Sequence, residues 1–100
     1  MMKPLQEYDF FRRLSELPFV EKIILYGSRA RGDHAERSDI DMALVCPRAT
    51  DNDWFNVLSI VDQADTLLKI DCVRFDTLSL ESSLRRSIES QGIVVYQRKL

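Results

Sequence analysis

Two short apolar runs, Ile23-Ile24-Leu25-Tyr26 and Ile40 to Val45, flank a polar, glycine-punctuated stretch that runs from Gly27 to Ser38. Both runs are short and rich in strand-forming residues, so each reads as a buried strand rather than a helix. Val20-Glu21-Lys22 extends the first run at its start, and Pro47 closes the second. The stretch between them is too polar and broken to be core. Two strands joined this way need a sheet, and the rest of the chain has to cover it.

The flanking segments supply that cover. Leu5, Tyr8, Phe11 and Leu14 recur at three-residue steps, widened by Phe10 and Leu17, behind a proline suited to a first helical turn; Pro18 ends this amphipathic helix. Asp51-Asn52-Asp53 offers caps for a helix burying Trp54, Val57, Leu58, Val61, Ala64 and Leu68. Ile70 to Phe75 is a third strand, and Ser79 caps a helix carrying Leu80, Leu84 and Ile88 that stops at Gly92. Ile93-Val94-Val95-Tyr96 closes the chain as a strand. The predicted order is α-β-loop-β-α-β-α-β, an α/β or α+β fold, without internal repeat or linker.

With 100 residues, there is room for one domain, expected over 1–100. Hydrophobic residues at 45% exclude a disordered chain. No apolar run reaches membrane-span length, and MMKPLQEYDF lacks a signal-peptide core, so the expected location is cytoplasmic with no membrane partner. Net charge −2 argues against direct binding of nucleic acid, which needs a broad basic surface. Cys46 and Cys72 read as buried apolar residues rather than redox or metal groups. His34 lacks the partners of a triad or metal cluster, Trp54 reads as core rather than a base-stacking platform, and Arg85-Arg86 as a solvated helix face.

Chemistry concentrates between the first two strands. In an extended chain Asp39 and Asp41 project side by side, with Cα atoms roughly 6–7 Å apart. Two carboxylates at that spacing repel by roughly 2–3 kcal/mol at an effective dielectric near 20. Aspartate is a poor strand former, so packing does not explain the choice. A divalent cation reverses the sign of the interaction, and hard oxygen ligands favour Mg²⁺ or Mn²⁺ over zinc. By itself the pair reads more readily as a solvated strand end.

The preceding loop, Gly27-Ser28-Arg29-Ala30-Arg31-Gly32, adds the complementary equipment. Glycine lets backbone N–H groups approach an anion, Ser28 adds a hydroxyl, and Arg29 and Arg31 add guanidinium forks suited to phosphate. Gly27 and Gly32 have Walker A spacing, but Asp33-His34 replaces the required Lys-Ser/Thr, and no G-x-G-x-x-G is present. A cationic loop placed just before a carboxylate pair suits a nucleoside triphosphate and its metal.

GSRARGDHAERSDIDMALV, with the strand ahead of it, resembles the minimal nucleotidyltransferases of the DNA-polymerase-β-like superfamily, whose hallmark is Gly-Ser, a spacer and Asp-x-Asp. The resemblance is continuous from Leu25 to Val45; Met42 replaces a commoner leucine, a harmless apolar exchange of similar volume. It implies a mixed sheet flanked by helices and transfer of AMP from ATP with release of pyrophosphate. By the same resemblance, Gly27, Ser28, Arg29 and Arg31 would bind the nucleotide, and Asp39 and Asp41 would share two Mg²⁺ ions (or Mn²⁺). A third carboxylate from a neighbouring strand is also implied: Asp71, mid-strand in Lys69-Ile70-Asp71-Cys72-Val73, is the favoured candidate for metal and catalysis, with Asp76 the competitor. Bare domains of this family pair with a HEPN-domain RNase toxin, which implies a hetero-oligomeric antitoxin that adenylylates a tyrosine of its partner. The alternatives are a binding protein that acts by occlusion alone and transfer to a small-molecule hydroxyl.

Overall fold

The computed structural model describes residues 4–32 and 38–99. Four strands, β1 (Lys22–Tyr26), β2 (Ile40–Val45), β3 (Ile70–Arg74) and β4 (Ile93–Gln97), form one sheet in the order β3-β2-β1-β4. β1 is antiparallel to both of its neighbours, whereas β2 and β3 run parallel, so the sheet is mixed. The helices are α1 (Asp9–Ser15), α2 (Ser28–Arg31), α3 (Asp51–Asp62) and α4 (Ser83–Gln91). The predicted order is present, with α2 as an added turn inside the polar stretch.

The two-residue period of the strands divides the core in two. Ile23, Ile40, Met42 and Leu44 pack with Phe10, Phe11 and Leu14 of α1 and with Val57 and Ile60 of α3. On the opposite face, Tyr26 and Ala43 meet Ile88 of α4, with Ile24, Val73, Phe75 and Leu84 closing around them. α4 therefore covers the Ala43–Val73 end of that face and leaves the Asp39–Asp41 end accessible.

Several local expectations are corrected. The first helix is broken: a 3₁₀ turn at Leu5–Glu7 is followed by an extended Tyr8, and α1 starts at Asp9. Its cap comes from far along the chain, where Asp65 accepts from the N–H groups of Asp9 and Phe10 at 3.1 and 3.3 Å. α3 is capped by Thr50, not by Asp51 or Asn52; Thr50 and Asp53 exchange hydrogen bonds of 3.1 and 2.9 Å in a capping box. Leu58 is 40% exposed, because the buried stripe of α3 runs through Val57 and Ile60. α4 is capped by Ser82 rather than Ser79. Arg85 is not a solvated cation: it lies 4.4 Å from the centre of the Phe75 ring and donates to the Leu78 carbonyl.

Cys46 and Cys72 are free thiols. Burial is the main reason both resist ionisation, pushing Cys46 up to about 11 and Cys72 to about 12. Trp54 packs against the main core with Arg74 over its ring.

Candidate active site

β1 ends at Tyr26, directly opposite Asp41 in the antiparallel register, and the chain turns sharply at Gly27. Gly27 has φ 75° and ψ −154°, a conformation open almost only to glycine. The absent side chain matters as much as the dihedral. A Cβ on Gly27 would lie 2.4 Å from Oδ2 of Asp41, so the glycine makes the space that the carboxylate occupies. From there α2 rises as one helical turn, closed by the Arg31 N–H to Gly27 carbonyl bond and ended by Gly32 at φ 81°.

The parallel register places Asp71 beside Asp41. Neighbouring strands lie about 4.8 Å apart, and residues in register share a face. Asp39, two residues before Asp41, belongs to the same face. The three carboxylates act on one another: burial first, then the charges of Asp71 and Asp39, raise the pKa of Asp41 above the ordinary carboxylate range. Tyr26 feels the same field. Burial, then Asp71 and Asp41, push its hydroxyl up to about 12, so it stays protonated and serves as packing beneath the acids.

Among the described residues, no three His, Cys, Asp or Glu side chains already converge as ligands of one ion. The donor set nevertheless suits Mg²⁺, which takes one or two carboxylates and completes its shell with water and substrate phosphate. The repulsion around Asp41 is what such a cation relieves. Asp39 and Asp71 are exposed and Asp41 is half-buried, so oxygen ligands remain accessible from solvent.

Two candidate residues are placed differently from the simplest expectation. Arg29, expected at the phosphates, turns inward and is only 9% exposed. Its Nε donates to the carbonyls of Ser38 and Asp39 at 3.2 and 3.0 Å, and Nη2 donates to Ser38. It thereby fastens α2 to the start of β2 and fixes the backbone of Asp39. Arg29→Met is expected to cost about 2–3 kcal/mol, the scale of lost charge-assisted hydrogen bonds, and to weaken binding of Mg²⁺ and ATP. Thermal denaturation and calorimetry check both effects.

Asp76 is likewise committed elsewhere, accepting from the Cys46 N–H at 2.6 Å. Ser28 is half-buried and Arg31 exposed, both on the single turn of α2 that follows Gly27. Asp33, His34, Glu36 and Arg37 lie outside the described residues.

Lys69 is the residue that the sequence reading missed. The Ile40 N–H donates to its carbonyl at 2.9 Å, extending the β2–β3 pairing so that Lys69 stands across from Asp39. Its ammonium lowers the pKa of Asp41, opposing the carboxylates. The spacing Lys69-x-Asp71 carried the signal, because it puts both side chains on one face.

The sequence profile of the polymerase β nucleotidyltransferases matches residues 11–100. The chain belongs to this family. Ten solved chains are structurally similar at high significance. One is a toxin–antitoxin crystallised with AMP-PNP: 22% identity, TM-score 0.66, covering 90% of this chain and 69% of that one. A second is an MntA-HpeT toxin–antitoxin variant with two Asp-to-Glu substitutions: 19% identity, TM-score 0.63, with coverage of 90% and 69%. A third, from Sulfolobus solfataricus, is assigned to the nucleotidyltransferases: 22% identity, TM-score 0.57, with coverage of 90% and 76%. These likenesses establish a shared fold. No curated protein sequence matches significantly.

Proposed function

We propose that this nucleotidyltransferase-family domain transfers AMP from ATP to a hydroxyl of a protein partner, a tyrosine of a HEPN-domain RNase toxin, and so acts in the cytoplasm as an antitoxin. The observation that carries the transferase reading is the placing of Asp41, packed against the Cβ-free Gly27 on one side and registered with Asp71 on the other. The toxin–antitoxin structures that share the fold, one of them with AMP-PNP, support the choice of nucleotide and partner.

Asp39 and Asp41 would hold Mg²⁺, joined by Asp71 if a second ion binds; when bound, the metal neutralises triphosphate charge and stabilises the developing negative charge of the transition state. Gly27 and Ser28 receive the phosphates, with Arg31 nearby in support. Arg29 keeps Asp39 in place. Asp71, exposed on the same face, accepts the proton of the attacking hydroxyl.

Incubating the chain with purified partner RNase, α-labelled ATP and Mg²⁺, followed by intact mass, tests the reading. The partner is expected to gain about 329 Da for each AMP, the mass that adenylylation adds. A partner that is silenced without any gain in mass overturns transfer in favour of occlusion.

Asp71 and Asp76 separate by substitution. Asp71→Asn is expected to reduce turnover at least about a hundredfold, with ATP affinity little changed, as for a group acting mainly in the transition state. Asp76→Ala is expected to cost about 1–3 kcal/mol of stability through the lost Cys46 contact, while turnover of the folded protein persists. Single-turnover rates and thermal melts distinguish the two roles.

A further inference from the structure

Alternation along β3 sorts its side chains between the two faces of the sheet. Leu68, Ile70 and Cys72 pack against the main core, whereas Val73 meets the cluster around Tyr26 and Ala43 on the opposite face. Lys69 and Asp71 have the parity of Val73, so the Lys69 ammonium belongs to the carboxylate side, across from Asp39. Lys69 is exposed, and among the described residues its ammonium makes no hydrogen bond or ion pair. Resting on the AMP-transfer reading above, we propose that Lys69 is a substrate-binding residue whose ammonium contacts the α-phosphate of the nucleotide.

Neutralising the acids does not by itself account for this lysine. Together with Arg29, its charge opposes the burial and the Asp71 and Asp39 charges that raise the pKa of Asp41, yet it closes no ion pair with any of the three. A divalent cation held by Asp39 and Asp41 repels an ammonium, which is then stabilised only beside a further anion. Arg29 does not compete for that anion, because its guanidinium is committed to the carbonyls of Ser38 and Asp39.

Position selects the phosphate. The Gly27-Ser28 turn lies one strand from the Asp39–Asp41 segment on the β1 side, and Lys69 lies one strand from it on the β3 side, so the two borders stand about 10 Å apart across the sheet. With pyrophosphate held at the turn, the triphosphate crosses β2 and brings its α end toward β3. In transfer the acceptor oxygen bonds to the α-phosphorus while the bond from that phosphorus to the α,β-bridging oxygen breaks. Pyrophosphate leaves with the electron pair, and the acceptor's proton passes to Asp71 and then to solvent. The non-bridging oxygens of the α-phosphorus stay charged throughout, and three donors on a flexible four-carbon stem can follow them as that centre inverts.

Lys69→Met tests the proposal, because an exposed position tolerates the change without loss of fold. Calorimetric affinity for ATP with Mg²⁺ is expected to fall about fivefold, the scale of an exposed charge contact, while affinity for pyrophosphate with Mg²⁺ stays within about twofold of wild type. Lys69→Arg, which keeps a cation, is expected to restore most of the ATP affinity. An equal loss for pyrophosphate overturns the assignment by placing the ammonium at the leaving group. Unchanged ATP affinity overturns it too, and tighter Mg²⁺ binding without nucleotide would then make Lys69 a counter-ion of the acids alone. A wild-type chain without affinity for ATP overturns both this contact and the transfer reading. A wild-type chain that binds ATP but transfers AMP to no partner overturns the transfer reading alone, because the calorimetric comparison needs no acceptor.

Discussion

The double substitution Asp39→Asn with Asp41→Asn is expected to abolish Mg²⁺-dependent ATP binding while leaving the fold intact and its metal-free form more stable. Both parts follow from the same electrostatics. Asp41 is held at a raised pKa by burial and by Asp71 and Asp39, so its ionised form is disfavoured in the folded protein. A carboxylate whose folded pKa lies above its unfolded one destabilises the fold as it ionises. The penalty enters as pH rises from the unfolded pKa toward the raised one, and is fully present above it. The metal-free wild type should therefore lose stability across that window, and the double variant should lose less. Added Mg²⁺ should stabilise the wild type alone. For transfer, the loss is expected to be at least about a hundredfold, the scale of removing one preorganised electrostatic contact from a site. Thermal melts against pH with and without Mg²⁺, together with calorimetry of ATP binding, check each part. ATP affinity unchanged in the double variant would remove the metal assignment.

Gly27→Ala is expected to damage the fold and the site together. It meets two obstacles at once: a backbone conformation costing about 1–3 kcal/mol for a residue with a side chain, and a contact of 2.4 Å with Oδ2 of Asp41. The carboxylate has to move, so ATP and Mg²⁺ binding should fall along with stability. Gly32→Ala is the control. Gly32 also has a positive φ, 81°, but it sits in the left-handed region and a Cβ there meets nothing within 4 Å. It should cost about 1–2 kcal/mol of stability and leave ATP affinity nearly unchanged. Equal losses of affinity in the two variants would mean that backbone strain, not the Asp41 contact, governs the site.

The site was legible where chemistry is local in the chain. Asp39-x-Asp41 is a statement about one strand, and Gly27-Ser28 about one turn, so period and residue type were enough to place them. Asp71 could be favoured over Asp76 because a charge in mid-strand needs a reason, and the register with Asp41 agrees with that reason. What escaped was set by partners distant in sequence. No spacing rule announces that Asp65 caps α1, that Arg29 spends its guanidinium on the carbonyls of Ser38 and Asp39, or that Asp76 holds the Cys46 N–H. Arg29 misled for a physical reason: a guanidinium serves a phosphate and a pair of carbonyls equally well. Leu58 misled because both edges of an apolar stripe look alike until the helix is docked.

The parallel pairing of β2 and β3 also makes the candidate site residues a gauge of how the chain has been threaded. A slip of β3 by one residue past β2 would turn Ile70 or Cys72 toward the acids and drive Asp71 into the main core beneath the sheet. A slip by two would bring Lys69 or Val73 level with Asp41 instead. The alternation that packs Ile70 and Cys72 against the main core therefore also decides where Asp71 stands, so a slipped strand is penalised twice, once by the core and once at the candidate site. Substitutions along the connection from Gln63 to Lys69 act through their own contacts, as at Asp65, which caps α1.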